Sequence, residues 1–257
     1  ACCSSGPVLM QGTWVSVQGL GKTVHGFTTT RQRGVSDKPF DSFNLGDHVG
    51  DDLIHVQTNR HRLNQWVPCS PIWVEQVHGT RVLDAQSLAE QPIQQADGLV
   101  TSRAGQVLGI LTADCMPVIL ASDTSQVLGL SHAGWRGLVD GVLGNTVMAM
   151  RECQPALGRW RAWIGPCIGP EAFEVGDDVR DAFLASNPAF AGCFTKHVAP
   201  HKWHCDLPRI AKIQLLALGA ESVTWCGFCT ATDPAQRFYS YRRDGQTGRM
   251  ATVAWLV

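Results

Sequence analysis

Two histidines and a cysteine stand at three separate turns of the chain: His78 in Gln76-Val77-His78-Gly79, Cys115 in Thr112-Ala113-Asp114-Cys115, and His132 in Ser131-His132-Ala133-Gly134-Trp135-Arg136-Gly137. Two imidazoles and a thiolate outside any tandem finger spacing suit a catalytic zinc, which usually takes three protein ligands and keeps a fourth position for water or substrate. A structural zinc would want a fourth protein ligand, and these segments offer no obvious one. Each residue alone has a plainer reading, because cysteine is among the most buried residue types and a lone histidine is usually an ordinary polar residue. The combination carries the argument. His78 and His132 each sit where an apolar run meets a Gly-bearing turn, and such strand ends present side chains to a cleft. The same Cys115 and His132 also fit a second chemistry, a metal-free hydrolase with Cys115 as nucleophile and His132 as its base.

The elements that must position these residues are short. Strands are expected at 13–17, 24–29, 72–77, 98–101, 107–111, 118–121, 127–131, 162–165, 222–227 and 252–256. Helices are expected at four places. One runs from the Asp51-Asp52 cap to Trp66, with Leu53, Val56, Arg60 and Leu63 at helical spacing. A second covers 137–153, directly after the His132 segment, and a third is marked by Val175, Val179 and Phe183. Asp206, with Pro208 just inside and Gly219 just past the end, delimits the fourth. Mixed strands with interspersed helices, few clean βαβ repeats and no low-complexity linker give one α+β domain with sheet packed on sheet and helices outside.

At 257 residues the chain can bury a substantial core without staples. A net charge of -1 gives no electrostatic footprint for nucleic acid or an anionic membrane, so small-molecule chemistry is favoured. The longest apolar stretch, 107–121, is interrupted by Thr112, Asp114 and Pro117 and is too short to span a bilayer. Residues 1–5 lack the basic start and apolar core of a secretory signal; a cytoplasmic location is expected, with residues 1–12 poorly ordered. The ten cysteines are scattered rather than spaced as a secreted disulfide scaffold, so most are expected to be reduced packing residues.

Several segments together resemble one family. Phe27-Thr28-Thr29-Thr30-Arg31, Gly34-Val35-Ser36 and Phe43-Asn44-Leu45-Gly46-Asp47 are similar to the opening of the YfiH-like family, long labelled multicopper polyphenol oxidoreductases or laccases. The likeness continues through Gln76-Val77-His78-Gly79, Ala96-Asp97-Gly98, the Cys115 and His132 segments, Gly165-Pro166-Cys167-Ile168-Gly169 and Tyr239-Ser240-Tyr241-Arg242-Arg243. It covers nearly the whole chain, in order. One departure is visible: Arg33 stands where the family usually has the first glycine of a pair, so that loop is expected to differ in shape.

The resemblance implies a layered αββα sandwich, His78, Cys115 and His132 as metal ligands, and purine nucleoside phosphorylase activity with adenosine deaminase and methylthioadenosine phosphorylase activity. The implied partners are purine nucleosides and phosphate. Zinc can bring the pKa of water down toward about 7, which is the chemistry that hydrolysis at C6 of adenine needs. Asp114 is the nearest carboxylate in sequence to Cys115 and reads equally as a catalytic acid or base and as a turn-holding group. Phosphorolysis needs an anion site. Arg136 lies at the expected start of the 137–153 helix, where free N–H groups favour an anion. Arg31, Arg242 and Arg243 are further candidates for a phosphate clamp, and Asn44 joins them as a substrate-binding candidate through the resemblance. The laccase label does not follow from these residues. Multicopper oxidases need several coppers and many further histidines, whereas this chain has nine histidines and no His-x-His pair. One copper could load adventitiously on the trio, since copper outcompetes zinc at most nitrogen and sulfur sites.

Two other motifs read as decoys. Trp225-Cys226-Gly227-Phe228-Cys229 mimics a redox dithiol, but no helical run follows that would lower a thiol pKa. His197, His201, His204 and Cys205 form a second His-rich patch, read as a solvated loop before the Asp206 cap.

Overall fold

The computed structural model describes residues 12–88, 93–122 and 126–257, so the expectation for 1–12 falls almost wholly outside the described residues. The first half runs β1 (Trp14–Ser16), β2 (Val24–Thr29), α1 (Leu53–Asn64), β3 (Val82–Asp84), β4 (Gly98–Thr101), β5 (Leu108–Thr112), β6 (Met116–Ser122) and β7 (Leu128–Ala133). Next come α2 (Trp135–Asp140), α3 (Val142–Cys153), β8 (Trp160–Ile164), β9 (Glu174–Gly176) and α4 (Asp177–Ser186). The chain ends with β10 (Phe194–Lys196), β11 (Lys202–Cys205), α5 (Leu207–Ala217), β12 (Ser222–Trp225), α6 (Tyr241–Asp244) and β13 (Met250–Leu256).

Two sheets form the centre. One has the order β1-β2-β13-β5 and the other β12-β8-β6-β7-β4-β3. Because side chains alternate along a strand, each central strand feeds two cores. Along β13, Ala254 and Leu256 face the second sheet with Ile119, Leu130 and Trp163, while Val253 and Trp255 pack outward with Phe43 and with Leu63 of α1. Along β6, Ile119 and Ala121 enter the layer between the sheets, while Val118 and Leu120 pack with Leu143 and Val147 of α3 and Ile210 of α5. The layers are therefore helix, sheet, sheet, helix: a single-domain α+β sandwich of the αββα kind. Strands covered on both faces read as near-continuous apolar runs.

Several sequence expectations are corrected. The 137–153 helix is two helices, because Gly141 at φ +99° ends α2 in the left-handed conformation that usually terminates helices. It also starts earlier, at Trp135, with Gly134 as its N-cap. Residues 72–77 form no strand; their backbone makes only isolated bridges, Ile72 to Leu108 and Glu75 to Gln95, while the Gln76 side chain bonds both backbone groups of Leu111 in β5. Val175 belongs to β9, and its helix begins at Asp177. The His-rich patch is a β-hairpin: β10 pairs with β11, and β11 pairs in turn with β9, in a third, three-stranded sheet. Arg33 takes φ +70°, the left-handed backbone that a glycine adopts without the steric cost of a side chain.

Candidate active site

Strand register brings the three ligand candidates together. Cys115 lies in the tight turn from β5 to β6, and Pro117, two residues on, pairs with His132 near the end of β7. His78 arrives from the loop before β3, and its Nε2 lies 3.7 Å from Cys115 Sγ. The rings of His78 and His132 meet at 4.8 Å between centroids. One ligand atom from each of His78, Cys115 and His132 falls within 4.8 Å of the others. Ligands at ~2.0 and ~2.3 Å from a tetrahedral ion stand roughly 3.5 Å apart, so the donor set and its spacing fit a metal. Among the described residues this is the one His, Cys and carboxylate cluster with such convergence. Gly134 makes the approach possible, since a Cβ there would lie 3.0 Å from the His78 ring and 3.2 Å from Cys115 Sγ.

The residue that organises the trio is Asp97, just ahead of β4 and fully buried. Its carboxylate accepts the backbone N–H groups of Val77 (3.2 Å), His78 (2.9 Å) and Gly79 (2.6 Å). It also takes Nδ1 of His132 at 2.8 Å. With a proton held on Nδ1, the imidazole presents Nε2 to the cluster. The three N–H groups form an anion-binding concavity that supports His78 at φ +59°, an unfavourable conformation for a residue with a side chain. Burial works to raise the Asp97 pKa, but His132 and the backbone donors outweigh it and hold the carboxyl below its ordinary value. The family-like segment Ala96-Asp97-Gly98 and an acid at the mouth of a buried strand are the sequence signals for Asp97, and neither announces this role.

Charge within the trio is coupled. Burial pushes the Cys115 thiol up, yet His132 and His78 beside it bring it down to about 6. Burial works to lower the His132 pKa, but Cys115 and Asp97 raise it to about 9. The metal-free site therefore holds a thiolate beside an imidazolium, and the thiolate is the form that ligates or attacks.

Asp114 sits at φ +87° with both oxygens occupied, one by the Thr230 hydroxyl and the other by the Arg242 N–H at 2.7 Å. These bonds hold the turn that delivers Cys115. The cluster opens on a cavity of about 750 Å³ whose wall includes Glu75, Phe173, Tyr241, Arg242 and Arg249. Arg242 is exposed and donates to the Glu174 carbonyl at 2.9 Å. The other residues that sequence grouped as substrate contacts lie outside that wall. Arg31 pairs with Asp41 at 3.0 Å and covers the Tyr239 ring. Arg243 pairs with its neighbour Asp244 at 2.6 Å. Asn44 is buried, its Oδ1 accepting the N–H groups of Gly46 and Arg249. Arg136 is exposed, in the first turn of a six-residue helix, with its guanidinium 4.4 Å from the Trp135 ring. Glu75 and Arg249 are two charged wall residues that sequence reading missed.

The Cys226 and Cys229 thiols are free, as are the other described cysteines. Burial pushes Cys226 up to about 11, and Cys229 Sγ accepts the Gly169 N–H at 3.1 Å. Neither lines the metal-side cavity.

An αββα sandwich with a His-Cys-His cluster at one cavity defines a class, and comparison with known proteins assigns the family. Residues 24–257 match the family described as multi-copper polyphenol oxidoreductase laccase, and the chain belongs to it. It is 43% identical over 233 residues to a purine nucleoside phosphorylase of Pseudomonas aeruginosa, covering 91% of this chain and 93% of that one. It is 40% identical to the purine nucleoside phosphorylase YfiH of Escherichia coli, covering 92% and 95% of the two chains. Among solved structures, the Neisseria meningitidis protein NMB0706 superposes with a TM-score of 0.88 at 36% identity, over 95% of this chain and 99% of that one.

Proposed function

We propose that the chain is a zinc-dependent purine nucleoside phosphorylase that also deaminates adenosine and cleaves methylthioadenosine. The observation that carries this reading is the convergence of His78, Cys115 and His132 on one cavity, in a chain whose relatives are named purine nucleoside phosphorylases. A cavity of about 750 Å³ is of the size that takes a nucleoside and a small co-substrate. Phe173 and Tyr241 offer ring faces for a purine. His78, Cys115 and His132 would hold the zinc, which when bound acidifies water and polarises the group to be attacked. Asp97 keeps the His132 proton on Nδ1 and so fixes the ring. With both Asp114 oxygens committed, Glu75 is the better proton carrier, because its carboxylate has no partner among the described residues. Small-molecule substrates accord with the chain's near-neutral charge and with the fact that no helix among the described residues is long and apolar enough to cross a membrane.

Two observations favour other readings of the same residues. The family description, and the affinity of copper for imidazole and thiolate, favour a copper-loaded polyphenol oxidase. The thiolate–imidazolium pair favours a metal-free cysteine hydrolase. One experiment separates them. Chelated protein, reloaded with zinc or with copper, is assayed on adenosine, inosine and methylthioadenosine with and without phosphate, and on a polyphenol with oxygen. The proposal expects phosphate-dependent base release and adenosine deamination, both restored by zinc. Polyphenol oxidation restored by copper, without base release, would establish the oxidase instead. Activity that survives chelation would establish the thiol mechanism.

A further inference from the structure

We propose that Arg249 is the phosphate anchor of the cavity: its guanidinium binds inorganic phosphate beside the metal cluster, in position to attack a nucleoside. The inference rests on the phosphorylase reading above and names the group that holds its second substrate.

Arg249 immediately precedes β13, and the pairing of Met250 with Thr112 sets it alongside the turn that carries Cys115. It lines the same cavity as Cys115 and His132. Its backbone is fixed, the N–H donating to Asn44 Oδ1 at 2.8 Å and the carbonyl accepting the Leu45 N–H at 3.2 Å. The stem crosses Gly46, where a Cβ would come within 2.8 Å of Arg249 Cγ, so the glycine leaves the groove in which the stem lies. The head has spare capacity. Nη1 donates to the carbonyls of Thr247 (2.9 Å) and Gly248 (3.1 Å), and among the described residues no carboxylate forms an ion pair with it.

Its neighbours differ on this point. Arg60 on the same wall has Asp47 at 3.1 Å, Arg31 has Asp41, and Arg243 has Asp244. Arg242, the other wall arginine without a carboxylate, is exposed at the mouth. Arg249 is only partly exposed, and a guanidinium taken from water without a countercharge is costly. Burial lowers its pKa, with Cys115 and Asp114 opposing the shift, yet arginine stays charged at any physiological pH. A partly desolvated planar fork facing a cavity is the arrangement that recognises a phosphate oxyanion bidentately.

In the step this serves, a lone pair on a hydrogenphosphate oxygen forms the bond to the ribose C1′ while the C1′–N9 bond breaks with its electron pair left on the base. The proton brought by hydrogenphosphate ends on the departing purine, so the products are ribose 1-phosphate and free base. Arg249 holds the oxygens that do not attack.

The test uses metal-loaded wild type, Arg249→Met and Arg249→Lys, with metal content and thermal melting recorded for each. Phosphate binding is measured by 31P NMR titration, and phosphate and inosine KM by steady-state base release. In Arg249→Met the phosphate KM should rise about ten- to a hundredfold, with inosine KM near wild type and phosphate binding lost. Arg249→Lys should recover part of both. Unchanged phosphate binding and KM in a folded, metal-loaded Arg249→Met would overturn the proposal. So would loss of adenosine 5′-monophosphate binding with inorganic phosphate unaffected, because the guanidinium would then serve a phosphate carried by the substrate. If wild type binds phosphate through Arg249 but releases no base from any nucleoside, the anion site stands and the phosphorylase reading falls.

Discussion

Two regions of this molecule bring histidines together, and only one of them is arranged to hold a metal. At the three-stranded sheet, the rings of His197 and His204 meet at 4.9 Å with their planes tilted by 59°. Nδ1 of His197 accepts the Ala199 N–H at 3.0 Å, and Nδ1 of the exposed His201 meets Asp177 at 2.7 Å. Asp177 gives its other oxygen to the Trp203 indole, which ties it to the surface of that sheet. At the cavity, by contrast, one buried carboxylate takes the outer nitrogen of His132 and three backbone donors around His78, and the unused atoms face one another. A ligand set is therefore defined by where the spare atoms converge, and counting histidines does not find it.

The largest effect should come from the convergent set itself. His78→Ala, Cys115→Ala and His132→Ala should each remove the metal and lower turnover by a similar factor. A metal supplies several kcal/mol of charge stabilisation, so that factor is on the order of a thousandfold. Elemental analysis and turnover, measured on the same preparations, should fall together. A half-active His78→Ala beside a dead Cys115→Ala would mean that the thiol, and not a metal, does the chemistry.

Next in size is the carboxylate behind the ligands. Asp97→Asn keeps the shape but removes the charge that holds the proton on His132 Nδ1 and accepts three N–H groups. Partners of this kind are worth about 10- to 100-fold in metal affinity. Competition titration with a zinc-binding dye should show a loss in that range. An unchanged affinity would reduce Asp97 to a fold-holding residue.

How far the sequence reaches can be judged from particular elements. β2 and β4 were legible to the residue, because short runs rich in β-branched and apolar residues bounded by turn signals need only local pattern. The caps of α1 and α5 were legible through Asp52 and through Asp206 with Pro208, whose side-chain or ring chemistry is local. β3, β9, β10 and β11 were not, since three or four residues acquire strand form only from the partner they pair with. The site divides along the same line. His78, Cys115 and His132 announce themselves by residue type. Asp97 and Arg249 do not, because what distinguishes them is a long-range partner in one case and the lack of a countercharge in the other.

The thiolate gives a pH test of the same convergence. With its pKa brought down to about 6 by His132 and His78, Cys115 of the metal-free protein is an anion at neutral pH. Its alkylation by iodoacetamide, followed by mass spectrometry, should rise with pH through about 6 and then level off. In a His132→Ala variant the rise should shift upward, toward the ordinary thiol range near 8.5, because the imidazolium that favours the anion is gone. The difference at pH 7 should be about two- to threefold, since a lower pKa also makes a thiolate a weaker nucleophile. A wild-type midpoint near the ordinary value would mean that the trio is not charge-coupled.

The smallest effect belongs to the other histidine region, and it is the measurement that closes the comparison. His201→Ala removes an exposed contact to Asp177, and His197→Ala removes one ring of a tilted pair beside the three-stranded sheet. Surface substitutions of this kind change stability by about 0.5 kcal/mol or less. Neither residue lines the cavity, so metal content should stay at the wild-type level and phosphate-dependent base release should remain within about twofold, an energy difference of less than ~0.5 kcal/mol. If His197→Ala or His201→Ala lowered bound zinc, the hairpin would be a second metal site, and spare-atom convergence would not be the rule that separates the two regions. Unchanged zinc in both, set beside its loss in His78→Ala, would assign the metal to the one place where a buried carboxylate turns two histidines toward a cysteine.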